Sequence, residues 1–177
     1  MTSTRLLVTS RDTHQLRQFD ADGDELRRVQ LPHHMLLQHA VESPTRTFIV
    51  SLGNTQLEQW QVVEVNTGGE VLRQFSGSRL TSLDHTEHFA DTLLSHVPSL
   101  GGTPHVAVDS HGNIFVAVRV NHHILLLNNH LSLRRVIDEH QLNYERPSRL
   151  CYREDKGQLL VGLSGSIAVA VFDMLCR

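Results

Sequence analysis

The sequence predicts an all-β fold made of repeated four-stranded antiparallel units. Short apolar runs with alternating polarity and many β-branched residues recur along the chain, and they are clearest between residues 105 and 137. Gly, Asn and Asp separate these runs at the density expected of tight turns. Equivalent runs also return at intervals of 42 and 45 residues, with one longer interval between them, which is typical of a repeat architecture that carries an insertion.

The second strand of each unit marks the repeat most clearly. The aligned runs begin at Leu6, Phe48, Ile114 and Leu159, so the successive spacings are 42, 66 and 45 residues. A period of about 40–45 residues with four strands per unit is typical of β-propeller blades. The third strands each end near an Asp or Asn suited to a turn, namely Asp20, Asn66, Asn128 and Asp173.

The repeat organises residues 1–177 into a single propeller segment. We expect its blades at about residues 5–31, 36–76, 104–138 and 147–177, with three strands in the first and last blades and four in the middle two. The long middle spacing predicts an insertion at about 77–103, with a short helix around 84–96. These four blades form an incomplete ring with two open ends. The open ends would expose apolar blade faces and unpaired strand edges to water, which is unfavourable. We therefore expect either a fragment of a longer propeller protein, a truncated product, or a protomer that closes the ring by self-association. A closed ring of four thin blades is the less favoured alternative.

Composition excludes several classes of function. The formal net charge is −3, from 16 basic and 19 acidic residues, which argues against a broad nucleic-acid footprint. Two cysteines are too few for a disulfide framework or a cysteine-based zinc site. The sequence shows neither a signal peptide at residues 1–12 nor the run of roughly 20 apolar residues that a membrane span needs. We therefore expect a cytoplasmic protein that binds neither DNA nor membranes.

The third unit resembles the NHL repeat. Its sequence VAVDSHGNIFVAVRVNHHILLLN places an Asp, a Gly and an Asn before the second strand, and an Asn-His turn after it. The positions that match the family pattern are Val108, Asp109, Gly112, Asn113, Ile114, Val116, Asn121, His122 and Ile124. Val118 stands where the family usually has Asp, and His123 stands where it usually has Arg. The resemblance is strongest in residues 104–138, and the other units share mainly the strand pattern.

This resemblance implies a non-enzymatic propeller scaffold. NHL propellers mostly bind proteins or RNA through one face, and they occur in tripartite-motif ubiquitin ligases and related regulators. We therefore expect a protein-interaction module that has no cofactor and no catalytic residue. The resemblance leaves two alternatives. The first is an RNA-binding propeller, and the second is a metal-dependent propeller enzyme of the lyase or hydrolase kind.

Arginines on the fourth strands and a few ring-bearing side chains near turns are the candidate binding residues. The arginines recur at similar positions, where they could bind phosphate groups or an acidic partner. The ring-bearing residues could stack on bases. The full candidate set is Arg27, Arg73, Arg134, Arg135, Trp60, His122, His123 and Tyr152.

Histidine is unusually frequent, with 13 in the chain. Loop histidines from successive blades could share a metal ion, because a propeller gathers equivalent loops around its axis. No HxH or HExxH spacing occurs, however, so no metal ligand is assigned. The stretch Gly162-Leu163-Ser164-Gly165 joins two predicted strands and lacks the strand-to-helix turn of a nucleophile elbow.

Overall fold

The structure is a computed structural model that describes residues 5–32, 36–54, 59–76, 104–119, 122–138 and 140–174. These residues form fourteen β-strands in four antiparallel sheets, and they contain no α-helix. No helix among them could therefore cross a bilayer. The predicted all-β fold is confirmed, whereas the predicted insertion at 77–103 and its helix lie outside the described residues.

Each sheet is a simple meander in which neighbours along the chain pair with each other. Sheet 1 contains β1 (Leu6–Ser10), β2 (Gln15–Phe19) and β3 (Glu25–Gln30). Sheet 2 contains β4 (Leu36–Glu42), β5 (Phe48–Asn54), β6 (Gln59–Val65) and β7 (Val71–Ser76). Sheet 3 contains β8 (His105–Val108), β9 (Ile114–Val118), β10 (His123–Leu127) and β11 (Leu133–Ile137). Sheet 4 contains β12 (Arg146–Arg153), β13 (Gln158–Ser164) and β14 (Val169–Asp173).

One kind of side-chain turn recurs between strands. Asp20, Asn66, Asp109 and Asn128 each accept two backbone N–H bonds through Oδ1, from the residues two and four positions later, at 2.8–3.0 Å. Such Asx turns offer the backbone partners that a strand would otherwise supply. They explain why the strands end where an Asp or Asn occurs in the sequence.

Three apolar clusters lie between consecutive sheets. Because alternate side chains of a strand point to opposite faces, β5 contributes Val50 to the cluster shared with sheet 1 and Ile49 to the cluster shared with sheet 3. The three clusters are centred on Leu16 and Phe48, on Val62 and Val116, and on Phe115 and Leu159. Each interface thus buries one face of both sheets.

The first strands of sheets 2, 3 and 4 adjoin one another. β8 contacts both β4 and β12, and each of these three strands is the edge of its own sheet. Blades of a propeller meet in this way along their innermost strands, around the central axis. Side chains on β4, β8 and β12 are therefore the ones that the fold brings together at the axis.

Candidate functional site

The three innermost strands carry large polar side chains at equivalent positions. His39 on β4, His105 on β8 and Arg149 on β12 each pair with the corresponding residue of the next strand. Those partners are all small, namely Ser51, Ala117 and Gly162. We call His39, His105 and Arg149 the axial cluster.

Local irregularities of the strands aim these side chains. The pairing register shifts between Leu37 and His39, and again between Pro147 and Arg149. β-bulges of this kind re-aim a side chain, and they are frequent beside active sites. At the first bulge the His39 N–H donates to Ser51 Oγ at 3.1 Å, and this hydroxyl donates to the His39 carbonyl oxygen at 3.2 Å. The register of His39 is thus fixed by side-chain bonds as well as by the strand ladder.

The two imidazoles stack on each other across the boundary between sheets 2 and 3. The ring centroids of His39 and His105 lie 3.6 Å apart, and the rings are inclined by 23°. Both side chains are half-buried, whereas Arg149 is exposed. The cluster therefore combines a shielded pair of rings with a solvated cation.

The same inter-blade hydrogen bond occurs twice. The N–H of Val106 donates to Nδ1 of His39 at 3.4 Å, and the N–H of Leu150 donates to Nδ1 of His105 at 3.2 Å. Val106 directly follows His105, and Leu150 directly follows Arg149. Each histidine thus accepts a hydrogen bond from the backbone beside the cluster member on the next sheet. Because Nδ1 accepts a hydrogen bond, the single proton of each neutral ring lies on Nε2.

The surroundings keep both rings uncharged. Burial, followed by the positive charge of Arg149, lowers the pKa of His39 to about 4. Burial, followed by the proximity of His39 and of Arg149, lowers the pKa of His105 to about 3. Desolvation and a nearby like charge both disfavour the imidazolium ion. At neutral pH each ring is therefore a neutral N–H donor.

The chemistry of this arrangement suits an electron-rich oxygen atom. A neutral imidazole N–H can polarise a carbonyl or bind an oxyanion without transferring its proton, and a guanidinium adds charge and fixed donors. A histidine-bound metal is not supported at this place, because stacked rings whose Nδ1 atoms accept backbone bonds have no converging lone pairs. Across the described ranges, no three His, Cys, Asp or Glu side chains are grouped as metal ligands.

Several loop histidines considered in the sequence lie outside the described residues. His33, His34, His85, His88 and His96 all belong to this group. The metal-dependent alternative is therefore not tested at these positions.

The candidate arginines lie on the outermost strands of three different sheets. Arg27 on β3, and Arg134 and Arg135 on β11, are exposed. Arg73 on β7 links two sheets instead, because its guanidinium donates to Glu64 at 3.2 Å and to the carbonyl of Asn129 at 2.7 Å. The four arginines are thus distributed around the rim and are not gathered into one patch.

The candidate aromatic residues contribute to packing between strands and sheets. Trp60 is buried, and its ring centroid lies 6.1 Å from that of Phe75. The Trp60 indole N–H has no acceptor among the described residues. Tyr152 is half-buried and stacks on Phe115 of the neighbouring sheet, with centroids 5.3 Å apart. Neither ring is presented as an open stacking platform.

The two candidate histidines lie at the turn that leads into β10. His122 adopts a positive φ of 57°, and its Nδ1 donates to the carbonyl of Tyr144 at 2.7 Å. His123 is the first residue of β10, pairs with Val118 and is half-buried. These contacts hold the turn against the loop that precedes β12. His123 lies two strands outward from His105, one residue beyond the row in which His105, Ala117 and Ile124 pair.

Sequence reasoning did not select the axial cluster, although a signal for it exists. His39 and His105 are 66 residues apart, which equals the spacing between Phe48 and Ile114 in the second strands. Each is followed by an alternating apolar stretch. Alignment of the first strands, two of which are interrupted by bulges, would have revealed the recurring histidine.

Similarity to known proteins is confined to three-dimensional structure. No protein-family profile and no curated protein sequence matches the chain. Among solved structures, a Bacteroides caccae protein of unknown function has a TM-score of 0.56 and 15% identity, over 96% of this chain and 56% of that one. Virginiamycin B lyase from Staphylococcus aureus has a TM-score of 0.51 and 10% identity, over 98% and 54%. Dihydro-heme d1 dehydrogenase NirN in complex with DHE has a TM-score of 0.51 and 16% identity, over 92% and 31%.

These similarities establish the fold as a β-propeller. The chain spans about half the length of the first two structures and about a third of the third. They also correct the prediction of a non-enzymatic interaction scaffold, because two of these three propellers are enzymes by name. The turn residues on which that prediction relied build the blade, and they do not distinguish a scaffold from an enzyme. Whether such a fold is catalytic depends on the side chains of its site.

Proposed function

We propose that this chain is part of a β-propeller enzyme of the lyase kind, and that its substrate binds at the axial cluster. The substrate would present an oxygen atom that carries negative charge or acquires it during the reaction. The observation that carries this proposal is the stacked pair His39 and His105, whose rings are held neutral with Nε2 protonated.

The electrostatics of the cluster support this role. Removing a proton from a carbon next to a carbonyl group places negative charge on the carbonyl oxygen. Fixed N–H donors in a shielded site stabilise such charge without reorganising during the reaction. Arg149 supplies a positive charge close enough to lower the pKa of both rings. With pKa values of about 4 and 3, the rings are weak bases, so they act as donors and a separate group accepts the proton.

The third unit retains the features that make it similar to an NHL repeat. Asp109 accepts the N–H groups of His111 and Asn113 at 2.9 and 2.8 Å, and Gly112 has a positive φ of 81°. We propose that the blades are NHL-like on this basis. The match concerns how the turn is built, so it is compatible with an enzymatic propeller.

Binding of an oxyanion at the cluster can be tested with acetate. We expect the imidazole Nε2 proton signals of His39 and His105, and the guanidinium signal of Arg149, to shift saturably when acetate is added to the ¹⁵N-labelled chain. His105→Asn keeps an acceptor near the position of Nδ1 but removes the Nε2 donor, so it should weaken binding by about tenfold while preserving the fold. His105→Gln keeps a donor near Nε2 and should retain more of the binding.

Turnover can be tested with small esters that carry a leaving group two carbons from the carbonyl. Elimination would create a double bond conjugated with the carbonyl, which ultraviolet absorbance detects. We expect product with the unaltered chain, and much less with His39→Asn or His105→Asn. Arg134→Met, a change on the exposed rim, is the matched control and should leave the rate of product formation unchanged. Acetate binding that is unchanged in His105→Asn, together with no product from any ester, would contradict the proposal.

A further inference from the structure

Sheets 1 and 4, at the two ends of the arc, each expose one face whose counterpart is buried in the other sheets. In sheet 2, Phe48 and Val50 pack against the preceding sheet, whereas Ile49 and Val62 pack against the following one. We call the face that is directed towards the preceding sheet the upstream face, and the face that is directed towards the following sheet the downstream face. Within the described residues, the upstream face of sheet 1 and the downstream face of sheet 4 are the two that remain exposed.

The downstream face of sheet 4 has an apolar centre, as the corresponding face of sheet 3 has, whereas Gln158 and Asp173 at its edge are hydrogen-bonded to each other at 3.0 Å. Leu160 on β13, paired with Val171 on β14, and Val169 on the same strand form its centre. The equivalent residues of sheet 3, which pack against sheet 4, are Phe115, Leu126 and Ile124. Val169 and Val171 are 58% and 53% exposed, in contrast to Ile124 at 0%. This face has the composition of an inter-blade interface but lies open.

The upstream face of sheet 1 follows the same pattern at three of five positions. Leu6, Val8 and Phe19 stand where sheet 2 has Phe48, Val50 and Val65. Leu6 is 59% exposed and Val8 is 38% exposed. Ser10 and Arg17 are the exceptions, at the positions of Leu52 and Val63. Arg17 donates through Nε to Glu25 at 2.7 Å, and its guanidinium lies over the Phe19 ring, but Glu25 also accepts from Arg28 at 2.8 Å. Arg17 is therefore part of a cluster of two arginines and one carboxylate at the edge of this face.

We propose that two copies of this chain close a single ring, with sheet 4 of each copy packed against sheet 1 of the other. The two open faces are the complementary halves of one interface, so head-to-tail contact continues the packing already present between sheets 1 and 2, 2 and 3, and 3 and 4. Two arcs of four sheets give eight blades, which is the upper end of the usual range of four to eight. The same interface then occurs twice, and no apolar face stays open.

Sedimentation equilibrium on the whole chain tests this assembly. We expect a mass twice the 20.0 kDa of one chain. Val171→Asp on sheet 4 and Val8→Asp on sheet 1 should each yield a folded monomer, because both side chains are already exposed within one copy. Leu72→Asp, at a site 50% exposed on the outer strand of sheet 2, is the matched control and should remain dimeric.

Mixing the two interface variants identifies which faces meet. The Val8→Asp chain keeps an intact sheet 4, and the Val171→Asp chain keeps an intact sheet 1, so the mixture should form a heterodimer that neither variant forms alone. A monomeric unaltered chain, a dimer that survives both substitutions, or a polydisperse aggregate would each overturn the proposal.

Alkylation of Cys151 gives a second readout that does not depend on a destabilising change. Cys151 is exposed and pairs with Leu160 at the centre of the open face of sheet 4. In a Cys176→Ser chain, the rate of alkylation should fall at least severalfold as the protein concentration rises through the dimerisation range. An alkylation rate that is independent of concentration would count against the dimer.

Discussion

At the scale of single residues, the neutral state of His39 and His105 links fold stability to pH. Their pKa values are lowered to about 4 and about 3, whereas in the unfolded chain both titrate near 6.5. Between these values the unfolded chain binds more protons than the folded one, so stability falls as the pH is lowered from about 6.5 towards 3. Above about 6.5 neither state is protonated, and the effect vanishes.

We therefore predict a loss of unfolding free energy, on the order of 2 kcal/mol for the pair, between neutral pH and pH 4, after discounting for the partial exposure of the rings. Urea denaturation over this pH range measures it. The double variant His39→Asn, His105→Asn, which keeps acceptors for the backbone bonds, should flatten the dependence. An unchanged slope in that variant would show that other groups are responsible.

Gly69 illustrates how one residue can fix the contact between two sheets. It has a positive φ of 87°, and a Cβ atom there would lie 2.2 Å from the carbonyl oxygen of Gln30, at the end of β3. Gly23 has a similar φ of 92°, but a Cβ there would meet nothing within 4 Å. Replacing either glycine by a residue with a side chain costs free energy because the backbone φ is positive. Only at Gly69 would the added Cβ also clash with the backbone of Gln30.

We predict that Gly69→Ala lowers the free energy of unfolding by roughly 3 kcal/mol or more, whereas Gly23→Ala costs about 1 kcal/mol. Chemical denaturation of the two variants under the same conditions gives the comparison. Equal losses would mean that the turn carrying Gly69 does not press against β3.

Not every special backbone position could be predicted from residue type. The turn after Asn128 places Leu131 at a φ of 61°, at the position that Gly23 and Gly69 hold in the equivalent turns. Leucine is tolerated because its side chain is buried in the cluster between sheets 2 and 3. Burial of the side chain offsets backbone strain here, and a pattern search for glycine misses such a site.

At the scale of elements, side chains on outer strands also bind one sheet to the next. Arg73 contacts both the buried carboxylate of Glu64 and the carbonyl of Asn129, so it spans sheets 2 and 3. Sequence patterns presented Arg73 and Arg134 as members of one exposed stripe, because both follow a leucine at the start of an outer strand. Asn129, the partner of Arg73 on sheet 3, lies 56 residues away in the chain, which explains why a local sequence pattern could not reveal this contact.

We predict that Arg73→Met costs about 1–2 kcal/mol of stability, because a buried carboxylate loses a charged donor. Arg134→Met, at an exposed position of the same kind of strand, should change stability by less than about 0.5 kcal/mol. Thermal unfolding of both variants decides between a structural and a purely surface role. A loss in Arg134→Met as large as that in Arg73→Met would contradict this distinction.

The strands themselves could be predicted well because alternation of apolar and polar residues determines which face is buried. β9, β10 and β11 agree with the apolar runs around Ile114, Ile124 and Leu133. The innermost strands were harder to compare, since bulges in β4 and β12 shift their register by one residue. A shift of that size changes which residues appear equivalent, and the axial cluster lies immediately beside it.

At the scale of the whole molecule, the repeat spacing predicts the architecture because each blade buries its faces only against its neighbours. The same spacing does not by itself say which chemistry a blade carries, although it relates His39 to His105 as equivalent positions. The side chains of the proposed site come from distant parts of the sequence, since His39 and Arg149 are 110 positions apart. This is why the blade-forming turn residues predicted the fold correctly, while the prediction of a non-enzymatic scaffold, which depended on them, was wrong.

The proposed donor site depends most on His39 and His105 being neutral with Nε2 protonated. Long-range ¹H–¹⁵N correlation spectra of the imidazole nitrogens, recorded on the whole chain from pH 8 to pH 4, measure this directly. We predict that both rings carry their proton on Nε2 at neutral pH, and that neither begins to titrate until the pH falls below about 5. Protonation on Nδ1, or titration of either ring near pH 6.5, would contradict the axial donor site on which the proposed function rests.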